Sequence, residues 1–369
     1  MKQCASFLAL MLVGVSLALA QSPAGTHPKK LTAAAQSDSK PKFKAIWEPV
    51  NYKEDLYLSD VFFVSKEEGW VSGAAGTILH TKDGGNSWAA QLGGDPHAEG
   101  VELTNLFFAD ATHGWAQAST SLFRTTDGES WEHVTGDIRG KLFFVSDTKG
   151  FRVYGPTLFA TTDGGENWKE IFTCRAKMEV QGLTQESECN LGSIQFPSAS
   201  VGYAVGEARV VAKTQDGGDT WTVLVGPEEP GDQRAWNLFF LDASTGYEIR
   251  SNGALKRTTD GGQTWKGVIA QLDPTTATNI KFADQEIGWS IRGTTWAYTV
   301  DGGNHWTTRQ VHLPAGVLSF SLPTRDRGYV VGGHGMIYRY RIVPIDYTSK
   351  GMLEAPMMPA GSARQSSSN

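Results

Sequence analysis

Six copies of one short box limit what this chain can fold into. They read T-x-D-G-x-x-x-W and run Thr81–Trp88, Thr125–Trp131, Thr161–Trp168, Thr214–Trp221, Thr258–Trp265 and Thr299–Trp306, the second being one residue shorter. Their aspartates are Asp83, Asp127, Asp163, Asp216, Asp260 and Asp301. Before each box stands an apolar run, followed by a Gly-aromatic pair: Gly69-Trp70, Gly114-Trp115, Gly150-Phe151, Gly202-Tyr203, Gly246-Tyr247 and Gly288-Trp289. From that Gly to the box Asp is always 13 or 14 residues, and the variable lengths all fall between a box and the next apolar run. A period of about 43 residues, with material for four short strands in each unit, is the signature of a propeller blade.

A seventh unit, Leu318 to Ile342, keeps the Gly-aromatic pair as Gly328-Tyr329 but has no box. The missing piece stands at the other end of the chain, where Phe43 to Val50 puts Trp47 in the place of a box Trp. The fold expected is therefore all-β, a seven-bladed β-propeller. Its N-terminal strand should lie beside Ile337 to Ile342 and close the ring. Closure removes the open sheet edges that recruit other chains, so a monomer is expected. In each box the Gly supplies positive φ and the Asp carboxylate accepts turn amides, so the six aspartates read as scaffold. Most tryptophans have similar duties. Of 12, seven fill box positions and three fill Gly-aromatic positions, which leaves Trp236 and Trp296 without a repeat role.

The chain outside the repeat has a different character. Lys2, the apolar run Phe7 to Ala20 and the small-x-small Ala18-Leu19-Ala20 fit a signal peptide over residues 1–20. Residues 21–42 form a Ser/Ala/Pro/Lys linker expected to be disordered, 43–345 the propeller, and 346–369 a disordered tail. A periplasmic or secreted protein is expected, with no membrane insertion after cleavage. The formal charge of −6 gives no general attraction for nucleic acid. Removing the leader takes Cys4 with it and leaves Cys174 and Cys189 in the longest connector, a pair expected to form a disulfide.

The boxes and blade count resemble the Asp-box propellers, among them bacterial sialidases, sortilin-type receptors, xyloglucan-cleaving glycosidases and the photosystem II stability/assembly factor family. The likeness is strongest to the last, from about Phe43 to Ile342, in the T-x-D-G-G-x-x-W boxes and G-W-x-x-G strands. It implies an exported, non-enzymatic assembly factor acting on a membrane or envelope protein complex, with a basic surface patch as part of its binding site.

Enzyme chemistry finds little support in the residues. No G-x-S-x-G, H-E-x-x-H, phosphate loop or C-x-x-C occurs, and the eight histidines lack ligand spacing, so neither cofactor nor metal is expected. The alternative is a carbohydrate-active enzyme, sialidase-like or another glycoside hydrolase. Sialidases of this fold need an R-I-P segment, which is absent here. The residues expected where the inner strands enter the central channel are Asp60, Asn105, Lys141, Ser193, Asn237, Asn279 and Val317. That ring holds one carboxylate, whereas glycoside hydrolysis needs two in opposition. The second would have to come from Asp137, Glu228, Glu229, Asp232 or Asp273 in the connectors.

A binding surface is easier to place. At the end of the second strand most units carry a small residue, such as Gly73, Ala118, Gly206 or Gly332, but two adjacent units carry Arg250 and Arg292, and a third Tyr154. Arg234 and Trp236 enter the same sector, and Trp296 is the other unassigned tryptophan. Arginine with spare aromatics is a favoured composition for protein interfaces, so these six residues are the candidate partner-binding site.

Overall fold

Each Gly-aromatic unit folds as four antiparallel strands, seen here in a computed structural model that describes residues 43–134, 136, 138–180, 183–206, 210–225, 235–250, 255–268 and 280–344. Blade 1 is Leu58–Phe63, Gly69–Gly73, Ile78–Thr81 and Ala89–Leu92, each strand paired with the next. Blades 2 to 6 repeat the plan, beginning at Asn105, Lys141, Leu191, Ala235 and Ile280. Blade 7 takes Val317–Thr324, Arg327–Gly332 and Ile337–Pro344 from the end of the chain. Its outer strand is Phe43–Pro49, which runs antiparallel to Ile337–Pro344 with Trp47 opposite Tyr340. Seven sheets of four result, and among the described residues all regular structure is strand.

The core lies between the blades, which is why both faces of the inner strands are apolar. One contact recurs. Except for Trp289, the aromatic of the Gly-aromatic pair stacks on the Phe that ends the next blade's inner strand: Trp70 on Phe108 at 3.8 Å, Trp115 on Phe144 at 3.7 Å, Tyr203 on Phe240 at 3.7 Å. Tyr329 continues the series across the seam, lying 3.5 Å from Phe63 and parallel to it within 2°. The box Trp meets the same Phe edge-on, as Trp88 does Phe63 and Trp131 does Phe108.

The glycine of the pair has a steric reason. A Cβ on Gly69 would lie 2.4 Å from the Phe63 ring, and on Gly114 2.3 Å from the Phe108 ring. The ring therefore fills the space a side chain would need, with a neighbouring aromatic closing its other face. Polar tips complete the joint. Trp115 Nε1 donates to the Gly164 carbonyl at 2.9 Å, Tyr203 Oη to Ala243 O at 2.6 Å, and Tyr329 Oη to Lys66 O at 2.7 Å. Burial pushes the Tyr203 and Tyr247 hydroxyls up to about 12, so they remain donors.

Blade 7 solves the same packing problem with other residues. Leu322 stands where the other blades have Phe, so less ring is available. Trp289 of blade 6 reaches over Gly328, whose Cβ would lie 2.5 Å from it. Trp47, Trp296 and Tyr340 gather around Trp289 with ring centroids 5.8, 5.2 and 4.8 Å away. This corrects the place given to Trp296. It is 8% exposed, part of the core at the ring closure, and is not on a binding surface.

The connector between blades 3 and 4 forms a hairpin, Arg175–Val180 with Leu183–Glu188. Cys174 and Cys189 are bonded at its base and fully buried in the cluster between these blades.

Candidate interaction surface

The box turns show what their carboxylates do. Thr81 Oγ1 donates to Asp83 Oδ1 at 2.8 Å, and that oxygen also accepts the Ser87 amide at 2.9 Å. The other boxes are built alike, with Asp163 accepting from the Asn167 amide, Asp216 from Thr220, Asp260 from Thr264 and Asp301 from His305. In the shortened box Asp127 takes the Glu129 and Ser130 amides instead. Gly84 and Gly85 follow Asp83 with φ of 69° and 85°, which only glycine adopts without strain. Hydrogen bonds hold the carboxyls low. The Asn167 amide lowers Asp163 and the Thr264 hydroxyl lowers Asp260, each to about 2. At Asp301 partial burial pushes upward but is outweighed by the His305 amide and imidazole, again giving about 2. These groups are committed to their turns.

The channel mouth is similar. Asp60 Oδ2 accepts the Leu106 amide of blade 2 at 2.8 Å, and Oδ1 accepts the Ser319 hydroxyl of blade 7 at 2.5 Å. The carboxylate thus ties three blades together. The seventh member of this ring is Ser319, in place of the expected Val317. Val317 is buried opposite Gly332, the place that Leu58 takes opposite Gly73 in blade 1, and the register shift that separates it from Ser319 also separates Leu58 from Asp60. Deeper in the channel lies a cavity of about 480 Å³ bordered by Phe62, Phe107, Phe143, Gln195, Phe239, Lys281 and Ser321. Gln195 Oε1 accepts the Phe240 amide at 2.6 Å, Lys281 Nζ donates to Phe320 O at 2.6 Å, and Ser321 Oγ accepts the Phe63 amide at 3.1 Å. Each of these polar channel residues therefore bridges to the next blade. Burial pushes the Lys281 ammonium below its ordinary range, partly offset by Asp60. No second carboxylate opposes Asp60 among the described residues of this ring. The connector carboxylates Asp137, Glu228, Glu229, Asp232 and Asp273 lie outside the described residues.

Arg250 ends the second strand of blade 5, Gly246–Arg250, and Arg292 ends that of blade 6, Gly288–Arg292. The backbone therefore puts both at one end of adjacent blades. Trp236 is in the inner strand of blade 5, Ala235–Phe240, at a register shift beside the Ala235–Arg250 pair. The side chains of Arg250, Arg292 and Trp236, and all of Arg234, lie outside the described residues. Tyr154 is 45% exposed at the equivalent end of blade 3, two blades from Arg250. It belongs to a separate basic-aromatic spot, with the Arg139 guanidinium 5.1 Å from its ring and Lys141 exposed beside it in the register. Arg139 escaped the sequence reading because connectors have no repeat position to compare.

A further recurring feature sits at the box end. The residue before the box Thr reaches to the next blade's box carbonyls: Arg124 Nη1 to Asp163 O at 3.0 Å and Lys213 Nζ to Gly261 O at 3.2 Å. In blade 7, which lacks a box, Arg339 from the same strand position binds Gly84 O at 2.8 Å. Its signal is a basic residue preceding T-x-D-G, as at Arg124, Lys213 and Arg257.

Seven four-stranded blades, six of them turning on a Thr-x-Asp-Gly sequence, define a seven-bladed β-propeller. A family model described as Photosynthesis system II assembly factor YCF48 matches residues 40–142 and 137–277, and the chain belongs to this family. It is similar to a YCF48 from Cyanidioschyzon merolae, with TM-score 0.61 and 20% identity over 80% of this chain and 98% of that one. It is likewise similar to a YCF48 bound to a D1 peptide, at 0.59 and 19% over 82% and 98%. A GH74 xyloglucanase from Xanthomonas campestris is also similar, at 0.56 and 15% over 79% of this chain and 53% of that one. At these identities the likeness is one of fold. No curated protein sequence matches the chain.

Proposed function

We propose that this chain is an exported, non-catalytic factor that binds a polypeptide segment of a membrane or envelope protein complex during its assembly. The observation that carries the reading is positional. Two neighbouring blades replace a small residue with Arg250 and Arg292 at the same strand end, on a ring whose box and channel carboxylates are engaged by its own amides and hydroxyls. Arginine pairs bidentately with carboxylates and stacks on aromatic faces, which suits a polar peptide. Family membership supports an assembly role, and the family relative solved with a D1 peptide supports a polypeptide as the occupant. Export and a periplasmic or secreted location follow from the leader-like residues 1–20.

The test is a binding comparison. Purified protein and its Arg250→Ala, Arg292→Ala variant are incubated with detergent-solubilised envelope membranes, and retained proteins are identified. A membrane-complex subunit held by the wild type and lost from a folded variant supports the reading. Equal retention removes these arginines from the site. Glycoside hydrolysis abolished by changing Asp232 would replace the reading with an enzymatic one.

A further inference from the structure

Three blades carry Arg at the strand position that precedes the box Thr where a box is present, and cross-strand register shows what each one faces. In blade 2 Arg124 is opposite Glu132, and in blade 7 Arg339 is opposite Glu48. Both pairs form. Arg124 Nε and Nη2 lie 2.9 and 2.6 Å from Glu132 Oε1, with Glu166 of the next box adding a contact at 2.8 Å. Arg339 Nε and Nη2 lie 3.2 and 3.1 Å from Glu48 Oε2. In blade 5 the same slot is reversed, because Arg257 stands opposite Lys266. Where Glu166 sits in the box after blade 2, the box after blade 5 has the neutral Asn304, which takes Arg257 Nη1 at 2.6 Å. Arg257 Nε is buried without a hydrogen-bond partner. Among the described residues no carboxylate pairs with either cation.

Around these two cations is an open groove of about 500 Å³, lined also by Thr259, Asp260, Thr264 and Asn304. Asp260 does not neutralise it in the way Glu132 does for Arg124. Its Oδ1 accepts the Thr264 amide and the Thr258 hydroxyl, and its Oδ2 accepts the Thr264 hydroxyl. Like charges placed directly across strands are destabilising, so this arrangement works against stability unless an anion joins it. The other two slots show which anion the geometry takes.

We propose that the groove between blades 5 and 6 at the box end binds a carboxylate side chain of an acidic polypeptide segment, in the place that Glu132 and Glu48 occupy in blades 2 and 7. The site is distinct from the arginines above. Gly246 pairs with Thr258 at the box end, while Arg250 lies at the opposite end of the same strand. It goes beyond the proposed function, and each can fail without the other.

The experiment is fluorescence anisotropy of fluorescein-labelled deca-glutamate at low ionic strength. The full chain carries Arg250→Ala and Arg292→Ala throughout, so the other end of the blades does not compete. Lys266→Glu rebuilds the ion pair of blades 2 and 7 inside the protein. Lys169→Glu makes the same charge change at the equivalent cross-strand place in blade 3, where Ala160 lies opposite. The expected result is a loss of about tenfold in affinity for Lys266→Glu and little change for Lys169→Glu, as a local rather than a net-charge effect requires. The Lys266→Glu melting temperature should not fall. Equal losses in both variants, no loss in either, or equal binding of deca-glutamine would overturn the proposal.

Discussion

Replacing Gly69 with alanine tests how the blades are joined. The backbone at Gly69 is not in the left-handed region, so the substitution introduces no dihedral strain. It introduces a methyl group 2.4 to 2.6 Å from three atoms of the Phe63 ring, where carbon contacts normally lie at about 3.5–4.0 Å. The ring cannot withdraw freely, because Tyr329 is stacked on it at 3.5 Å and Trp88 meets its edge. Overpacking of this kind costs about 1–3 kcal/mol, and the lost unfolded-state freedom of glycine returns about 0.4–1, leaving a net destabilisation of about 1–2 kcal/mol. The decisive measurement is a double-mutant cycle with Phe63→Leu, followed by urea unfolding and tryptophan fluorescence. Blade 7 carries Leu322 at that place, 3.4 Å from the corresponding Cβ position, where the tight contact is instead with Trp289 at 2.5 Å; at Gly69 the three nearest atoms all belong to Phe63. In the Phe63→Leu background the alanine should therefore be neutral or slightly stabilising, a coupling of about 1–2 kcal/mol. An equal cost in both backgrounds would show that glycine is required by the backbone and would refute the steric account.

Three other outcomes are expected. The box carboxyls are lowered in the folded state, so they contribute stability above the unfolded carboxylate range that is lost as pH falls from about 4 towards about 2; circular dichroism of Asp260→Asn should show a shallower acid limb than the wild type. Replacing Cys174 and Cys189 with alanine should lower stability by about 3 kcal/mol on the loop-entropy model for a separation of 15 residues, read as a shift in the urea midpoint. Deleting residues 1–50 removes Phe43–Pro49 from blade 7 and exposes the edge of Ile337–Pro344, so the truncated chain should melt lower and self-associate in light scattering.

The repeat made the ring legible because every blade meets the same packing demand, and spacing alone carries that information. The reason for Gly before each aromatic was not legible. It depends on a Phe of the same blade and an aromatic of the previous one, brought together only by closure. Ser319 was legible and was missed by two positions: it stands nine residues before Gly328, the spacing of Asp60 from Gly69 and of Asn105 from Gly114, and the register shift before it recurs before Asp60, Ser193 and Asn237. Trp296 looked spare because it has no counterpart in other blades. It packs against the Trp47, Trp289 and Tyr340 rings, in the cluster that also holds the equally exceptional Leu322. Arg250 and Arg292 stood out as departures from a column of small residues. Arg257 did not, since arginine there is common, and only its pairing with Lys266 sets it apart.

The central claim is that a polypeptide partner is held through the Arg250 and Arg292 end of the ring. It is tested most directly by chemical crosslinking of the full-length protein to envelope membranes, comparing wild type with the Arg250→Ala, Arg292→Ala variant. The account predicts crosslinks from the connector face of blades 5 and 6 to one membrane-complex subunit, lost from the variant while its melting temperature is unchanged. Crosslinks of equal yield in the variant, or none to any membrane protein, would contradict it.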